Sequence, residues 1–149
     1  MIAQSTLQTL IDLAAEEVER ATIVLGHTMR SGAEAEQRLE LLDQYREDYL
    51  ERFSQSKMNG LLARDYLNYQ RFLDKLDEAI TAQKDMVRQA HERIAEARAA
   101  WQQCERKKET YEILQKRARL VQSKKESRRE QKDVDEFNSA KARRTQTGR

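Results

Sequence analysis

The sequence contains no proline in its 149 residues. Nothing in it breaks a helix by removing a backbone donor. Glycine is nearly as scarce, occurring only at positions 26, 32, 60 and 148, so the chain can make few tight turns. A single cysteine, Cys104, excludes an internal disulfide and suits a reducing compartment. No apolar run approaches the roughly 18 residues of a membrane span. The first residues lack a basic stretch followed by an apolar one, so no leader is expected. There is no glycine-rich phosphate loop, and His27 and His91 are too far apart to form a local metal pair. These absences lead us to expect no catalytic residue, no metal and no cofactor. They point to a soluble, cytoplasmic, non-enzymatic protein.

What the sequence has is charge. Charged residues make up 36% of it and apolar residues 38%. That is too little apolar surface for a broad core, but enough for a narrow seam between helices, where about two residues in seven are buried. Net charge is only +2, but it is unevenly spread. Residues 115–149 hold 12 Lys/Arg against 5 Asp/Glu, leaving 16 against 21 in the remainder. The body is acidic and the tail basic.

Two apolar ladders hold a seven-residue repeat. The first is Leu7, Ile11, Ala14, Val18, Ala21, Leu25, Thr28, Gly32, Ala35, Leu39, Leu42, Arg46, Tyr49 and Phe53, with 11 of 14 positions apolar. The second is Leu62, Tyr66, Tyr69, Leu73, Leu76, Ile80, Gln83, Val87, Ala90, Ile94, Ala97, Trp101, Cys104, Lys108 and Tyr111, with 13 of 15 apolar. A straight helix would drift out of such a phase, so the repeat implies supercoiling against a partner. Asn59-Gly60 is the strong turn dipeptide between the ladders. A short connection makes neighbouring helices antiparallel. The expected fold is therefore all-α: one long antiparallel two-helix coiled coil, an α-hairpin spanning 1–149. Its expected parts are helix 1 at about 3–53, a turn at 54–62, helix 2 at about 63–140 and a disordered tail at about 141–149.

Placing Phe53 opposite Leu62 sets a register. Ala14 then faces Trp101, Ala35 faces Ile80, Gly32 faces Gln83, Arg46 faces Tyr69 and Ile11 faces Cys104, small against large. In this reading Cys104 and Trp101 are core, with Leu114, Ala118 and Val121 a short continuation. Helix 2 outlasts helix 1, and its far end projects or frays.

Function must then lie on the surfaces left over. Tyr45 and Phe72 fall outside both ladders, beside Leu42, Tyr49 and Leu76 and flanked by Leu41 and Ala79. They make either an interaction patch or a widened seam. Leu10, Leu13 and Val24 are also apolar and off the seam. Arg117, Lys124, Lys125, Arg128 and Arg129 decorate the tail, as a solvated face or as a dock for an acidic protein surface.

Three segments taken in order suggest a family. They are Leu7-Gln-Thr-Leu-Ile-Asp-Leu-Ala14 with Glu17-Val18 and Leu25-Gly26, then Asn68-Tyr-Gln-Arg-Phe-Leu-Asp-Lys-Leu-Asp-Glu-Ala-Ile80, and Gln131-Lys-Asp-Val-Asp-Glu-Phe137. The chain resembles the FliJ family of the flagellar type III export apparatus over nearly its whole length. Arg38, where glutamine is usual, and Gln83, where histidine occurs, depart from that pattern. The resemblance implies an antiparallel coiled coil similar to the central stalk of rotary ATPases. Its open end would enter the hexameric flagellar export ATPase, and we assign Leu10, Leu13, Arg117, Lys124, Lys125, Arg128 and Arg129 to that contact. The resemblance also implies that Leu42, Tyr45, Tyr49, Phe72, Leu76 and Ala79 bind the cytoplasmic part of the export gate membrane protein, that export chaperones are further partners, and that the protein associates peripherally with the inner-membrane export apparatus. Two other readings compete: a structural coiled-coil spacer, and a nucleic-acid binder using the tail. The second is disfavoured because acids interleave the bases in Lys124-Lys-Glu-Ser-Arg-Arg-Glu130, so no nucleic acid is expected.

Overall fold

The computed structural model describes residues 3–147, and side chains as far as 146. Two helices account for almost all of it: α1, Gln4–Met58, and α2, Ala63–Thr147. The chain is all-α, two long helices packed against each other, with no strand among the described residues. Contacts divide it into two units. One combines the chain up to Glu17 with the chain from Cys104 onward; the other is Val18–Gln103. Each is an antiparallel pair of helical segments, one from α1 and one from α2.

α1 runs five residues past the expected end at 53. Ser54-Gln-Ser-Lys-Met58 is polar but contains no helix breaker, so the helix continues until Asn59-Gly60. There the Asn59 amide makes a last α-type bond to the Gln55 carbonyl (3.2 Å), and the Gly60 amide turns back to Lys57 (3.4 Å). Gly60 then takes φ 87°, the one positive φ among the described residues. Glycine reaches that conformation without steric cost. The connection is thus residues 59–62, not 54–62. α2 also outlasts its expected end near 140 and carries the expected disordered tail as helix to Thr147; residues 148 and 149 lie outside the described ones. Between Ala63 and Thr147 there is neither proline nor glycine. Local pairs support the final turns, among them Gln131 to Asp135 (3.2 Å) and the Thr145 hydroxyl to the Lys141 carbonyl (3.1 Å).

Both ladders face inward. Every rung from Leu7 to Phe53 is buried or half-buried, as is every rung from Tyr69 to Tyr111. Leu62 and Tyr66 are the exceptions, exposed at 72% and 40%. The continuation runs through Gln115 and Ala118, both half-buried, whereas Leu114 and Val121 are exposed. Gln115 suits this place because its amide donates to the Gln8 side-chain oxygen (2.7 Å).

The expected register is wrong by one heptad. Phe53 stacks on Tyr66 and Tyr69, with ring centroids 5.5 and 5.0 Å away, and not on Leu62. Trp101 donates its indole N–H to the Thr22 hydroxyl at 3.0 Å, so its partner is not Ala14. Arg46 pairs with Asp77 (2.6 Å) and does not cover Tyr69. Gly32 meets Ile94 and Ala90, while Gln83 donates its amide to the Ala35 carbonyl (2.9 Å). The cause is the later turn. Moving the centre of the reversal from midway between Phe53 and Leu62 to the middle of 59–62, about three residues later, slides helix 2 along helix 1 by twice that, close to two turns.

Gly32 leaves room that the end of the Ile94 side chain fills. A Cβ built there would lie 2.7 Å from the Ile94 Cδ1 and 3.9 Å from the Ala90 Cβ. The second distance is within the Cβ–Cβ range of a disulfide. Cysteines at Gly32 and Ala90, in a Cys104→Ser background, are therefore predicted to cross-link within one chain under mild oxidation. A Gly32–Gln83 pair is predicted to stay reduced, and non-reducing electrophoresis with peptide mapping reads the outcome. The register expected from the ladders alone would reverse it.

Candidate functional site

The larger unit, Val18–Gln103, carries the first candidate surface. Tyr49 lies on the seam side of α1, and helical spacing brings Tyr45 one turn back along the same face. On α2, Phe72 sits beside the seam position Leu73. The Tyr49 ring stacks against Phe72 with centroids 4.3 Å apart, and against Tyr69 at 5.1 Å. Tilted contacts of this kind are worth about 0.5–1.5 kcal/mol beyond area burial.

Burial sorts the six assigned residues. Leu76 is core, at 9% exposed. Leu42 and Tyr49 are half-buried. Phe72 is 47% exposed and Tyr45 66%, and Ala79 is exposed too. Leu41, at 50%, extends the open part. The cluster therefore divides: Leu76 thickens the seam, while Tyr45 and Phe72 face water. The Arg46–Asp77 pair borders them. Its charge-assisted bond, then the Asp77 charge, raises the Arg46 pKa further. Arg38 is exposed and Gln83 half-buried.

Sequence reasoning missed the rest of the aromatic set. Tyr66, Tyr69 and Phe53 join through ring contacts, and Lys57 places its ammonium 4.3 Å from the Phe53 centroid and 5.3 Å from that of Tyr66. The signal was present as aromatics four apart on α1 and three apart on α2, hidden by the misplaced register.

The smaller unit carries the second surface. Leu10 is half-buried and Leu13 is 51% exposed. Lys107 of α2 reaches Glu17 (3.3 Å) and Gln115 reaches Gln8, holding the start of α1 against α2. Beyond Ala118, every described side chain of α2 through residue 146 is exposed. About 40 Å of single helix follows the last covered turn. Lys124, Lys125, Arg128 and Arg129 all lie on this stretch, and Arg117 just precedes it. Gln115 is level with Gln8, so Arg117 stays near Leu10, whereas Lys124, Lys125, Arg128 and Arg129 lie several turns beyond Leu10 and Leu13. The seven assigned residues form two places, not one.

Among the described residues no group of His, Cys, Asp or Glu is placed to hold a metal, and no helix is long and apolar enough to cross a membrane. Cys104 is half-buried and unpaired.

Fold and surface together define a class: an all-α antiparallel coiled-coil protein whose distinguishing residues lie outside its seam. A family model, that of the flagellar FliJ protein, matches residues 3–147. The Flagellar FliJ protein of Escherichia coli strain K12 is 31% identical over 137 residues, covering 92% of this chain and 93% of that protein. That of Salmonella typhi is 30% identical with the same coverage of 92% and 93%. The chain belongs to the flagellar FliJ family and is a component of flagellar export.

The stacked rings have a measurable consequence. Desolvation, and then the neighbouring Tyr69, push the Tyr49 hydroxyl above its ordinary value near 10. A raised folded-state pKa contributes stability that is complete below the unfolded value and lost as pH rises through the folded one. Tyr49 thus contributes fully below about pH 10 and loses that contribution progressively as pH rises from there through its raised folded-state value. Phe72→Ala is predicted to bring the Tyr49 titration back toward the ordinary value. It should also cost about 1.5–2.5 kcal/mol, roughly half of a buried Phe→Ala. Alkaline difference absorbance and urea unfolding check the two effects.

Proposed function

We propose that this protein is a non-enzymatic coupling stalk and chaperone escort of the flagellar export apparatus. It binds the hexameric export ATPase through one unit and the export gate through the other. The observation that carries the reading is the basic single helix beyond Ala118, left without a seam partner among the described residues. A helix with charge on all sides suits the pore of a ring, where no single face is favoured. Lys124, Lys125, Arg128 and Arg129 supply attraction to acidic pore walls, with Arg117, Leu10 and Leu13 meeting the ring's rim. Such steering weakens with salt.

The gate is assigned to Tyr45 and Phe72, with Tyr49, Leu42, Leu76 and Ala79 as their support. Exposed aromatics on a rigid, otherwise charged surface have the character of binding hot spots. A passive spacer would have no use for them. With one partner at the membrane, the protein works peripherally at the inner-membrane export apparatus and otherwise in the cytoplasm. Export chaperones released from their cargo are its further partners.

Two experiments test this. Arg128→Glu with Arg129→Glu is expected to lower stimulation of the export ATPase about tenfold at low ionic strength, less as salt is raised. Equal stimulation by variant and wild type would remove the electrostatic contact. Phe72→Ala, checked by circular dichroism to keep its helix, is expected to lose gate binding in a pull-down while keeping ATPase stimulation. Loss of both together would mean the patch acts only through folding.

A further inference from the structure

The end of the larger unit where the chain reverses carries apolar surface that the seam does not use. Met58 is 87% exposed and Leu62 is 72% exposed, with Leu67 at 54%. Lys57, Leu61, Ala63, Tyr66 and Leu67 line an open concavity of about 630 Å³ beside them. The turn itself does not require these residues, since its geometry rests on Gly60. Polar residues at 58 and 62 would serve a solvated loop better.

The turn between the two helices is locally basic. From Arg52 to Arg64 there are three basic residues, Arg52, Lys57 and Arg64, and no acidic one; Glu51 and Asp65 stand just outside. Lys57 holds its ammonium over the Phe53 and Tyr66 rings, fixing a positive charge beside the aliphatic group. α2 begins here without a side-chain cap among the described residues. Its start is marked by the Leu62 carbonyl, which accepts from the Asp65 and Tyr66 amides at 3.0 and 3.1 Å. A leucine offers no side-chain acceptor, so among the first four amides those of Asp65 and Tyr66 are bonded to the backbone while those of Ala63 and Arg64 face outward from the helix start.

We propose that this turn is a lipid-contact site. Met58 and Leu62 enter the interfacial layer of an anionic bilayer, while Arg52, Lys57 and Arg64 engage its phosphate groups. The occupant follows from complementarity. Flexible aliphatic side chains on a convex turn fit fluid acyl chains, which need no matching pocket, and a basic collar fits an anionic headgroup layer. The site is separate from the aromatic pair Tyr45 and Phe72. The inference deepens the peripheral membrane location proposed above but does not depend on the stalk or the gate contact.

The test uses the full chain with vesicles of phosphatidylcholine, with and without phosphatidylglycerol. Leu62→Trp in a Trp101→Phe background provides the probe. Its emission is expected to shift to the blue with phosphatidylglycerol vesicles and to be quenched by brominated acyl chains, with little change for phosphatidylcholine alone. In co-sedimentation, Met58→Asp with Leu62→Asp is expected to lower binding at least tenfold with unchanged helix content. Removing Arg52 or Arg64 is expected to lower it about fivefold each. The basic tail is the competing source of attraction, so Arg128→Glu with Arg129→Glu is run beside them. An unshifted emission from the Leu62→Trp probe, or a vesicle affinity that falls only with the tail variant, overturns the proposal. So does a concentration-dependent dimer that disappears when Met58 and Leu62 are replaced, because the turn would then pair with a second copy.

Discussion

The left-handed backbone at Gly60 determines which residue meets which across the seam. L side chains avoid φ 87°, so the reversal is held at the one position in this stretch where glycine allows it. Once the reversal is fixed, antiparallel helices of constant rise leave no freedom: Phe53 must reach Tyr66 and Tyr69, and Tyr49 must reach Tyr69 and Phe72. The aromatic surface is thus a consequence of the turn. A reversal one heptad earlier would have set Phe72 against a different part of α1.

The seam that follows is narrow, and its narrowness sends function outward. Only a few side chains are deeply buried, among them Leu7, Ile11, Ala14, Phe53, Leu76 and Ile80. Burying such a residue contributes about 1.5–3 kcal/mol, and the repeated small contributions must offset the entropy of ordering two long helices. The seam also contains polar positions, each satisfied locally. Gln83 reaches the Ala35 carbonyl, and the Thr28 hydroxyl bonds the Leu25 carbonyl at 2.8 Å. Gly32 gives up helix propensity of about 1 kcal/mol but lets the Ile94 side chain fill the space where its own Cβ would be. These positions hold the helices together while their polar groups find partners within the seam.

The helical period, the antiparallel pairing and the inward face were all legible in the sequence. Each depends on a pattern repeated along the chain, and one misassigned residue changes nothing. Register was not legible, for a definite reason. A slide of one heptad returns every ladder position to another ladder position, so Phe53–Leu62 and Phe53–Tyr69 score alike as apolar pairs. Small-against-large matching did not break the tie, because alanines recur along both ladders. Only the turn distinguishes the two registers, and Ser54-Gln-Ser56 resembles a loop by polarity while folding as helix. The extent of α2 was lost in a similar way. Val134 and Phe137 follow no clear stripe, yet α2 continues past both because nothing stops it. For the surfaces, Tyr45 and Phe72 stood out because they broke the ladder rule, whereas Met58 and Leu62 were hidden by being placed in the turn and in the seam.

Tyr49 ties the outer surface to the inner one. One part of its ring contributes to the seam against Tyr69, and another supports Phe72. Phe72 is therefore immobilised from behind while about half of it stays open to water. A side chain held this way has already lost most of its rotamer freedom on folding, and a partner that covers it has less entropy left to remove. Tyr45 lacks such a stack and is 66% exposed, so ordering it falls to the partner. In the proposed gate contact the two exposed aromatics are thus unequal in kind: Phe72 is a preorganised anchor, and Tyr45 an adaptable neighbour. The preorganisation comes from the same ring contacts that stabilise this part of the coiled coil. If the proposed contact is made there, recognition and stability are coupled at Phe72 and separable at Tyr45.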